Sequence, residues 1–361
     1  MKKIIALILA SMMALACLAG CSQKSGSVVM TVNGSDVTWD EYMYWIGYSA
    51  NQLEQYYNYT GTGVNYKDSE TTDIILKDAK KAVIEQHVIL AKAAELGLTA
   101  DEDEVNDIIA DYIVYYCGED GTEEDFAELI KDSYATVDTF KSMVRSNLLY
   151  TDIINEMYGE GGADIPEEDI KAYAEENEYI TATHILLLTS DDEGKALSEK
   201  EQKDLEKQAN GFVKELRAID DNKERLERFN ELKAEFCEDT GKESFPDGYC
   251  FTTGTMVDEF DSTARALGEY EVSDAVKSDY GYHVIMRLPL KGSDLCTSSD
   301  GYPVPLSAII AEEKFNEQFE QWIEDAETAF VGQYRNYDFS SLFGDEGFNY
   351  VSYEDFTSVK N

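Results

Sequence analysis

The sequence is poor in basic residues, in histidine and in proline. Lysine and arginine total 30 against 73 aspartate and glutamate residues, so the formal net charge is −43 over 361 residues. Binding nucleic acid requires clustered basic side chains, so this composition excludes nucleic acid as a natural partner. It also disfavours electrostatic attraction to anionic lipid. With three histidines and no Cys-x-x-Cys pair among six cysteines, no metal site is expected.

Long apolar runs are absent after the first twenty residues. Lys2 and Lys3 precede an apolar stretch that ends near Leu18, which is shorter than the roughly 20 residues that a membrane-spanning helix needs. A basic start, a short apolar run and small residues are typical of a secretory signal peptide. The phrase at 18–21, Leu-Ala-Gly-Cys, resembles the bacterial lipobox. That resemblance implies a leader over residues 1–20, lipidation of Cys21 and a polar tether over 21–27. The alternative is a soluble secreted protein in which Cys21 is incidental.

Two stretches rich in glycine, serine and proline divide the remaining chain. They cover residues 159–166 and 289–305, and four of the five prolines lie at or inside them. Such punctuation is typical of domain borders. A chain of this length, 43% hydrophobic, is expected to form two or three domains.

The first block, residues 28–165, is predominantly helical in its hydrophobic periodicity. Val28–Val32 followed by Asn33-Gly34 predicts a strand and a tight turn. Thr38 then has the position of a helix N-cap, with Glu41 completing a capping box. Apolar stripes predict three further helices: one ending at Gly97, one opening at Thr99, and one from Val137 to about Tyr158. His87 lies beside the first of these stripes, and we interpret it as a hydrogen-bonded core residue.

The last block, residues 305–361, contains one long amphipathic pattern. Its apolar positions recur at helical spacing between charged residues: Phe315, Phe319, Trp322, Ala326 and Phe330. A stripe of this kind predicts a helix that packs against a core.

The middle block, residues 179–290, alternates strand-like and helix-like segments. A buried strand is predicted at Tyr179–Leu188, charged helical sequence follows to about Cys237, and Tyr280–Ile285 predicts a final strand. This order is typical of an α+β fold. Because side chains alternate along a strand, His184 and His283 can meet on one face if the two strands are neighbours.

Four phrases of this block resemble the parvulin family of prolyl isomerases, in order and with similar separations. They are Ala182–Leu186, the spaced set Phe229, Leu232, Phe236 and Asp239, then Gly254–Phe260, and Tyr280–Ile285. The opening of the first block, around Val32, Asn33 and Gly34, resembles the N-terminal segment of PrsA- and SurA-type extracytoplasmic foldases.

The resemblance implies an α+β architecture with two parts. Residues 28–165 and 305–361 would form a mostly helical chaperone domain, with the C-terminal helix completing it. A parvulin domain over 179–290, a small antiparallel sheet flanked by helices, would be inserted between them. The implied function is peptidyl-prolyl isomerisation and chaperoning of newly exported proteins with X-Pro bonds, at the outer face of a bacterial membrane, without metal or cofactor.

Carried over residue by residue, the family pattern implies a catalytic group and a substrate pocket. His184, Asp239 and His283 match the catalytic positions, and Phe251, Met256 and Phe260 match the wall of the proline pocket. The histidine pair has a second interpretation, in which it only orients the core through hydrogen bonds.

Two departures from the family pattern bear on activity. The leucine that the family has in its pocket is replaced by Gly248 or, with a shift of one residue, by Tyr249. This replacement leaves open the alternative that the protein is an inactive holdase, which only binds unfolded clients. The loop after the first histidine strand, residues 190–193, is acidic, which disfavours phosphoserine substrates.

A solute-binding lipoprotein is disfavoured because no doubly wound α/β pattern is present. Spacing permits a Cys237–Cys250 disulfide but does not establish it.

The lipobox pattern predicts that Cys21 carries the membrane anchor. A Cys21→Ala variant is expected to lose metabolic labelling with palmitate and to leave the membrane fraction, because two or more acyl chains anchor stably. Cys117→Ala serves as the control for loss of a cysteine as such. Equal labelling of Cys21→Ala and the parent chain would contradict the prediction.

Overall fold

The computed structural model describes residues 27–131, 135–298, 300–345 and 347–358. The predicted leader, Cys21 and the predicted tether up to residue 26 lie outside these ranges. The helices are α1 Trp39–Tyr59, α2 Ser69–Leu96, α3 Glu102–Cys117, α4 Glu123–Lys131, α5 Val137–Tyr158, α6 Glu167–Glu176, α7 Glu199–Arg217, α8 Asn222–Phe236, α9 Asp258–Ala266, α10 Leu306–Glu324 and α11 Tyr353–Ser358. The strands are β1 Val28–Val32, β2 Ser35–Thr38, β3 Ile180–Leu188, β4 Tyr249–Phe251, β5 Val276–Lys277, β6 Gly281–Leu288, β7 Leu295–Thr297, β8 Pro303–Pro305, β9 Thr328–Phe330, β10 Phe343–Gly344 and β11 Gly347–Phe348.

The chain forms two compact units. The first combines the described residues up to Ile153 with those from Glu317 onward, and the second is Ile154–Asn316. The second unit therefore extends beyond residues 179–290 on both sides, because α6, β7, β8 and the start of α10 pack with its sheet. No helix within the described ranges has the length and hydrophobicity needed to cross a bilayer.

The first unit opens with the hairpin that the sequence predicts. Strands β1 and β2 pair antiparallel, and the turn residues Asn33 and Gly34 both have positive φ, 51° and 81°. Both central residues of this tight hairpin turn need positive φ, which glycine and asparagine adopt most easily. Strand β9 pairs with the other edge of β1, with Met30 opposite Phe330. The C-terminal segment thereby completes this small sheet.

Helices α1 and α2 cover the hairpin and enclose an aromatic core. Thr38 caps α1, as predicted, by accepting a hydrogen bond from the Glu41 N–H. The Glu41 carboxylate does not complete the predicted capping box; it bonds the buried His87 ring (Nε2 to Oε1, 2.9 Å), whose Nδ1 lies 3.1 Å from Ser35 Oγ. His87 is therefore a buried side chain with both ring nitrogens hydrogen-bonded, and it links α2 to α1 and the hairpin.

Two helix boundaries differ from the sequence predictions. Helix α3 is capped by Asp101, whose carboxylate accepts the N–H groups of Asp103 and Glu104, so Thr99 lies outside it. The amphipathic pattern of the last block ends as a helix at Glu324, and Phe330 lies in β9. Pairing with the exposed edge of β1 satisfies the backbone hydrogen-bonding groups of Thr328–Phe330. The periodicity of nearby apolar residues does not reveal this pairing.

The second unit is built on a six-stranded sheet in the order β5-β6-β3-β4-β7-β8. Strands β3 and β6 form its long antiparallel centre, from Thr181 opposite Leu288 to Leu188 opposite Gly281. A side chain at Gly281 would overlap the Leu187 carbonyl, so glycine is required at this close approach. The four strands that lie within residues 179–290 pair antiparallel, as predicted, and β7, which follows them in the sequence, pairs with β4 in parallel.

Helices cover both faces of this sheet. Ile185, Val284 and Met286 face α7 and α8 in one cluster, and Ala182, Phe251 and Ile285 face α9 in another. The alternation of buried side chains along β3 and β6 assigns each residue to its face. His184 and His283 belong to the face that α9 covers, because they alternate with Ile185 and Val284.

Candidate active site

A cavity of about 370 Å³ opens on the α9 face of the sheet. Its walls come from five places in the sequence: the two histidine strands β3 and β6, the segment after α8, strand β4 and the start of α9. The side chains that line it include His184, Glu238, Asp239, Tyr249, Met256, Phe260 and His283. The volume falls in the usual range for a small-molecule or side-chain pocket.

A continuous chain of hydrogen bonds runs through the floor of the cavity. The Tyr249 hydroxyl donates to Asp239 Oδ2 at 2.6 Å, and the same oxygen lies 3.0 Å from His184 Nε2. His184 Nδ1 lies 3.1 Å from His283 Nδ1, and His283 Nε2 lies 2.7 Å from Ser278 Oγ. The structure thus brings together the three residues that the family pattern singles out as catalytic, and it adds a residue at each end.

When both imidazoles are neutral, the bonding pattern assigns a direction to every proton in this chain. Asp239, as a carboxylate, only accepts, so His184 carries its proton on Nε2. His184 Nδ1 is then an acceptor, and His283 must donate to it from Nδ1. His283 Nε2 in turn accepts from the Ser278 hydroxyl. In this arrangement all donors of the chain point toward Asp239.

The surroundings keep Asp239 charged and His283 neutral. Burial alone raises the pKa of Asp239, but the hydrogen bonds from His184 and Tyr249 outweigh it and hold this pKa well below its usual range. Asp239 Oδ1 also accepts the Gly241 N–H, which fixes the carboxylate at the start of a short 3₁₀ turn. Burial, reinforced by the proximity of His184, lowers the pKa of His283 to about 4.

The apolar wall of the cavity consists of Met256 and Phe260, one at the entrance to α9 and one within it. Met256 is partly exposed, whereas Phe260 is only 3% exposed and its ring lies edge-on to His184 (centroids 5.2 Å apart). Phe251 does not line the cavity. It packs behind Phe260 at a centroid distance of 5.7 Å and supports that wall from the core.

The segment that departs from the family pattern is firmly held. Gly248 has φ of 111°, and a Cβ there would approach the Ala182 carbonyl oxygen to 2.8 Å, so no side chain fits at this position. Tyr249 therefore lines the cavity at this point, stacked on Phe245 and bonded to Asp239. The buried Lys233 ammonium also holds this segment, because it donates a hydrogen bond to the Pro246 carbonyl at 2.9 Å.

Sequence reasoning missed Ser278 and Glu238. Ser278 precedes β6, five residues before His283, and the close return of the chain at Gly281 turns its hydroxyl to the ring. The Glu238 side chain accepts the Leu188 N–H at 2.7 Å and places a second carboxylate at the cavity. A serine before a histidine strand and an acidic pair at the end of a helix are weak signals, because both are common in loops.

Two family models match the chain. Residues 1–154 match the model described as SurA-like N-terminal domain, and residues 184–288 match that of the PPIC-type PPIase domain. The second match contains the whole hydrogen-bond chain and the apolar wall. The protein is therefore a parvulin-type peptidyl-prolyl isomerase with a SurA-like N-terminal domain.

Curated proteins named foldase protein PrsA are similar to this chain. Foldase protein PrsA of Caldanaerobacter subterraneus subsp. tengcongensis is 26% identical over 296 residues, covering 79% of this chain and 82% of the relative. Foldase protein PrsA of Oceanobacillus iheyensis is 27% identical over 212 residues, 58% of this chain and 60% of the relative. Among solved structures, PrsA from Bacillus subtilis is 23% identical, covers 69% of this chain and 82% of its own, and has a TM-score of 0.29. The two domain matches and these curated relatives support a PrsA/SurA-like parvulin foldase.

The site geometry predicts an unusually acidic pKa for His283. With only three histidines, their ring signals can be followed by NMR, and His283 is expected to titrate near 4 against an ordinary value near 6.5. Between these values the unfolded chain binds a proton that the folded chain does not. Stability is therefore lost as pH falls from about 6.5 to 4, by up to roughly 3 kcal/mol.

His283→Asn identifies the signal, because the resonance with the low pKa should disappear from its spectrum. His87→Gln, a change in the first unit, should leave that resonance in place. A value near 6.5 for His283 in the parent chain would contradict the assignment of a neutral, buried ring.

Proposed function

We propose that the cavity binds an X-Pro segment of an exported client, with the proline ring against Met256 and Phe260. The observation that carries the proposal is that an apolar wall and a charged, hydrogen-bonded Asp239 line the same cavity. A proline ring needs apolar contact, and its X-Pro carbonyl then lies toward the polar side. The role that we assign to His184, Asp239 and His283 is electrostatic, and no bond to the protein forms.

The chemistry that such a site must perform is rotation about a partial double bond. The barrier is about 18–20 kcal/mol because the planar amide is stabilised by delocalisation, which places negative charge on the carbonyl oxygen. In the twisted amide that charge is reduced. A site whose donors are already engaged and whose nearest charge is a carboxylate disfavours the planar form relative to the twisted one. Catalysis requires this differential binding.

The hydrogen-bond chain gives the histidines a positioning role in this proposal. His184 and Tyr249 both donate to Asp239, and His283 and Ser278 fix the tautomer of His184. Asp239 therefore keeps its charge and its orientation in a half-buried site. The alternative of an inactive holdase is based on the missing leucine near position 248. Tyr249 occupies the cavity there, which favours an active isomerase.

The rest of the proposal concerns place and organisation. We propose an extracytoplasmic location at the outer face of the membrane, with the chain anchored through Cys21. The signal-peptide pattern, the lipobox and the similarity to PrsA foldases support it. We also propose that the first unit, the described residues up to Ile153 and from Glu317 onward, is the chaperone domain, with the isomerase unit inserted between its two parts in the sequence. The pairing of β9 with β1 supports this organisation.

The pocket assignment is tested most sharply at Met256. Phe260 is buried and touches both histidine rings, so Phe260→Ala would disturb the fold and the hydrogen-bond chain as well as the pocket. Met256 is partly exposed where it lines the cavity and is not one of the buried members of the cluster against which it packs, so Met256→Ala removes pocket surface with less effect on the core. Losing ~1–2 kcal/mol of transition-state binding should lower kcat/KM roughly 5- to 30-fold in a protease-coupled peptide assay.

Glu259→Gln is the matched control, because Glu259 is exposed, lies outside the cavity and precedes Phe260 on the same helix. Its activity should equal that of the parent chain, and circular dichroism should show all forms folded. Full activity in Met256→Ala would place the proline elsewhere. No activity in the parent chain would support the holdase.

Acidic groups near the cavity predict a preference for neutral or basic residues before proline. Glu238 lines the cavity, and the turn after β3 carries Asp191, Asp192 and Glu193. Peptides with Lys or Ala before proline should be turned over faster than those with Glu, and added salt should reduce the difference.

A double change, Asp192→Asn with Glu193→Gln, should reduce the difference in turnover between peptides with Lys or Ala and those with Glu before proline. It should leave the conformation of the turn unchanged. The turn depends on Asp191, whose carboxylate accepts the N–H groups of Glu193 and Lys195. Faster turnover of glutamate or phosphoserine peptides by the parent chain would overturn this prediction.

A further inference from the structure

Two cysteines far apart in the sequence are direct neighbours in the sheet. Cys250 in β4 and Cys296 in β7 are in register across the parallel pair of strands. Neighbouring strands lie about 4.8 Å apart, within the Cα separation of about 4.4–6.8 Å that a disulfide requires. In-register residues of a parallel pair project to the same face. Both thiols are buried, at 3% and 2% exposure, in the cluster formed with α6 and α10.

The two side chains already interact. The hydrogen bond with Cys296, together with burial, raises the pKa of the Cys250 thiol above its usual range. Asp294 lies beside them, bonded to Thr181 Oγ1 at 2.6 Å, and its carbonyl is 3.9 Å from Cys296 Sγ. Across the part of the chain that the structure describes, no group of three metal-ligating side chains includes this pair.

The other thiols have different surroundings. Cys237, which spacing alone allowed as a partner of Cys250, packs in the α7 and α8 cluster. Its sulfur accepts the Leu186 N–H at 3.4 Å and lies 3.7 Å from the His184 carbonyl. Cys117 is in the other unit. The geometry therefore singles out Cys250 and Cys296.

We infer that Cys250 and Cys296 form a disulfide that joins the β7–β8 hairpin to the isomerase sheet. The inference goes beyond the isomerase site and uses only the proposed extracytoplasmic location, where disulfides persist. The oxidant is an external disulfide, either a small molecule or a thiol oxidoreductase. A thiolate of the pair attacks it to give a mixed disulfide, and the second thiolate displaces the external sulfur. The pair loses two electrons and two protons, and the external disulfide becomes two thiols.

Burial dictates when this reaction takes place. The thiolate is the attacking species, and the folded sheet keeps Cys250 protonated and inaccessible. Oxidation therefore precedes docking of the β7–β8 hairpin during folding. Once formed, the bond closes the loop 251–295, which contains Met256, Phe260, Ser278 and His283. Closing a long loop raises stability mainly by restricting the unfolded chain.

The disulfide would leave the catalytic face unchanged. Tyr249 and Phe251 flank Cys250 on β4 and project to the opposite face, toward the cavity and the α9 cluster. Catalysis at 25 °C should therefore be the same in the oxidised and reduced forms, whereas resistance to heat should differ.

The test is to unfold and reduce the full chain, then refold it with oxidised and reduced glutathione or with reductant alone. Maleimide labelling and non-reducing peptide mass spectrometry should show a Cys250–Cys296 linkage in the glutathione sample. Its melting temperature should be roughly 5–10 °C higher than that of the reduced sample. Cys117→Ser should behave like the parent chain, and Cys296→Ser should lose both the linkage and the redox effect.

The comparison of oxidised and reduced parent chain stands without any variant. A Cys237–Cys250 linkage, glutathione adducts alone, linked dimers alone or free thiols throughout would each overturn the inference, as would equal melting temperatures. Isomerase activity is measured on the same samples. Its absence would count against the proposed function and leave the disulfide result unaffected.

Discussion

The antiparallel pairing of β3 with β6 is the constraint on which the rest of the second unit depends. Its register sets Leu186 opposite His283 and His184 opposite Ile285, so two residues 99 positions apart hydrogen-bond through their rings. A slip of one residue would turn one imidazole to the α7 face and bury it among aliphatic side chains. Because Gly281 has no side chain, β6 can approach β3 closely at the end of the pairing where Gly281 lies opposite Leu188.

Once the register is set, the polar groups of the site depend on one another. Asp239 stays ionised because His184 and Tyr249 donate to it, and the hydrogen bond between the two Nδ1 atoms holds the His184 and His283 rings in place. A buried polar network of this kind stabilises only when every member is satisfied. The same network that orients the core also sets the electrostatics of the cavity, so the structural and catalytic interpretations of the histidine pair are compatible.

The sheet has two faces with separate tasks. The α9 face carries the cavity, whereas the opposite face carries the packing with α6, α7 and α10, including Cys250 and Cys296. Because adjacent residues of β4 project to opposite sides, Tyr249 serves the cavity and Cys250 the packing. This division lets the edge of the sheet be extended by β7 and β8 without altering the residues around the pocket.

The sequence by itself determined the α+β class, the opening hairpin at Asn33-Gly34, the cap at Thr38 and the isomerase block, because these follow from local turn chemistry, periodicity and short ordered phrases. Tertiary structure alone decided that Tyr249 and not Gly248 lines the cavity, that Phe251 lies behind Phe260, and that Ser278 ends the hydrogen-bond chain. It also decided that Phe330 is in a strand and that Cys296 is the neighbour of Cys250. Each of these depends on pairing between distant strands, and the free energy of such pairing is not encoded in any local window of residues.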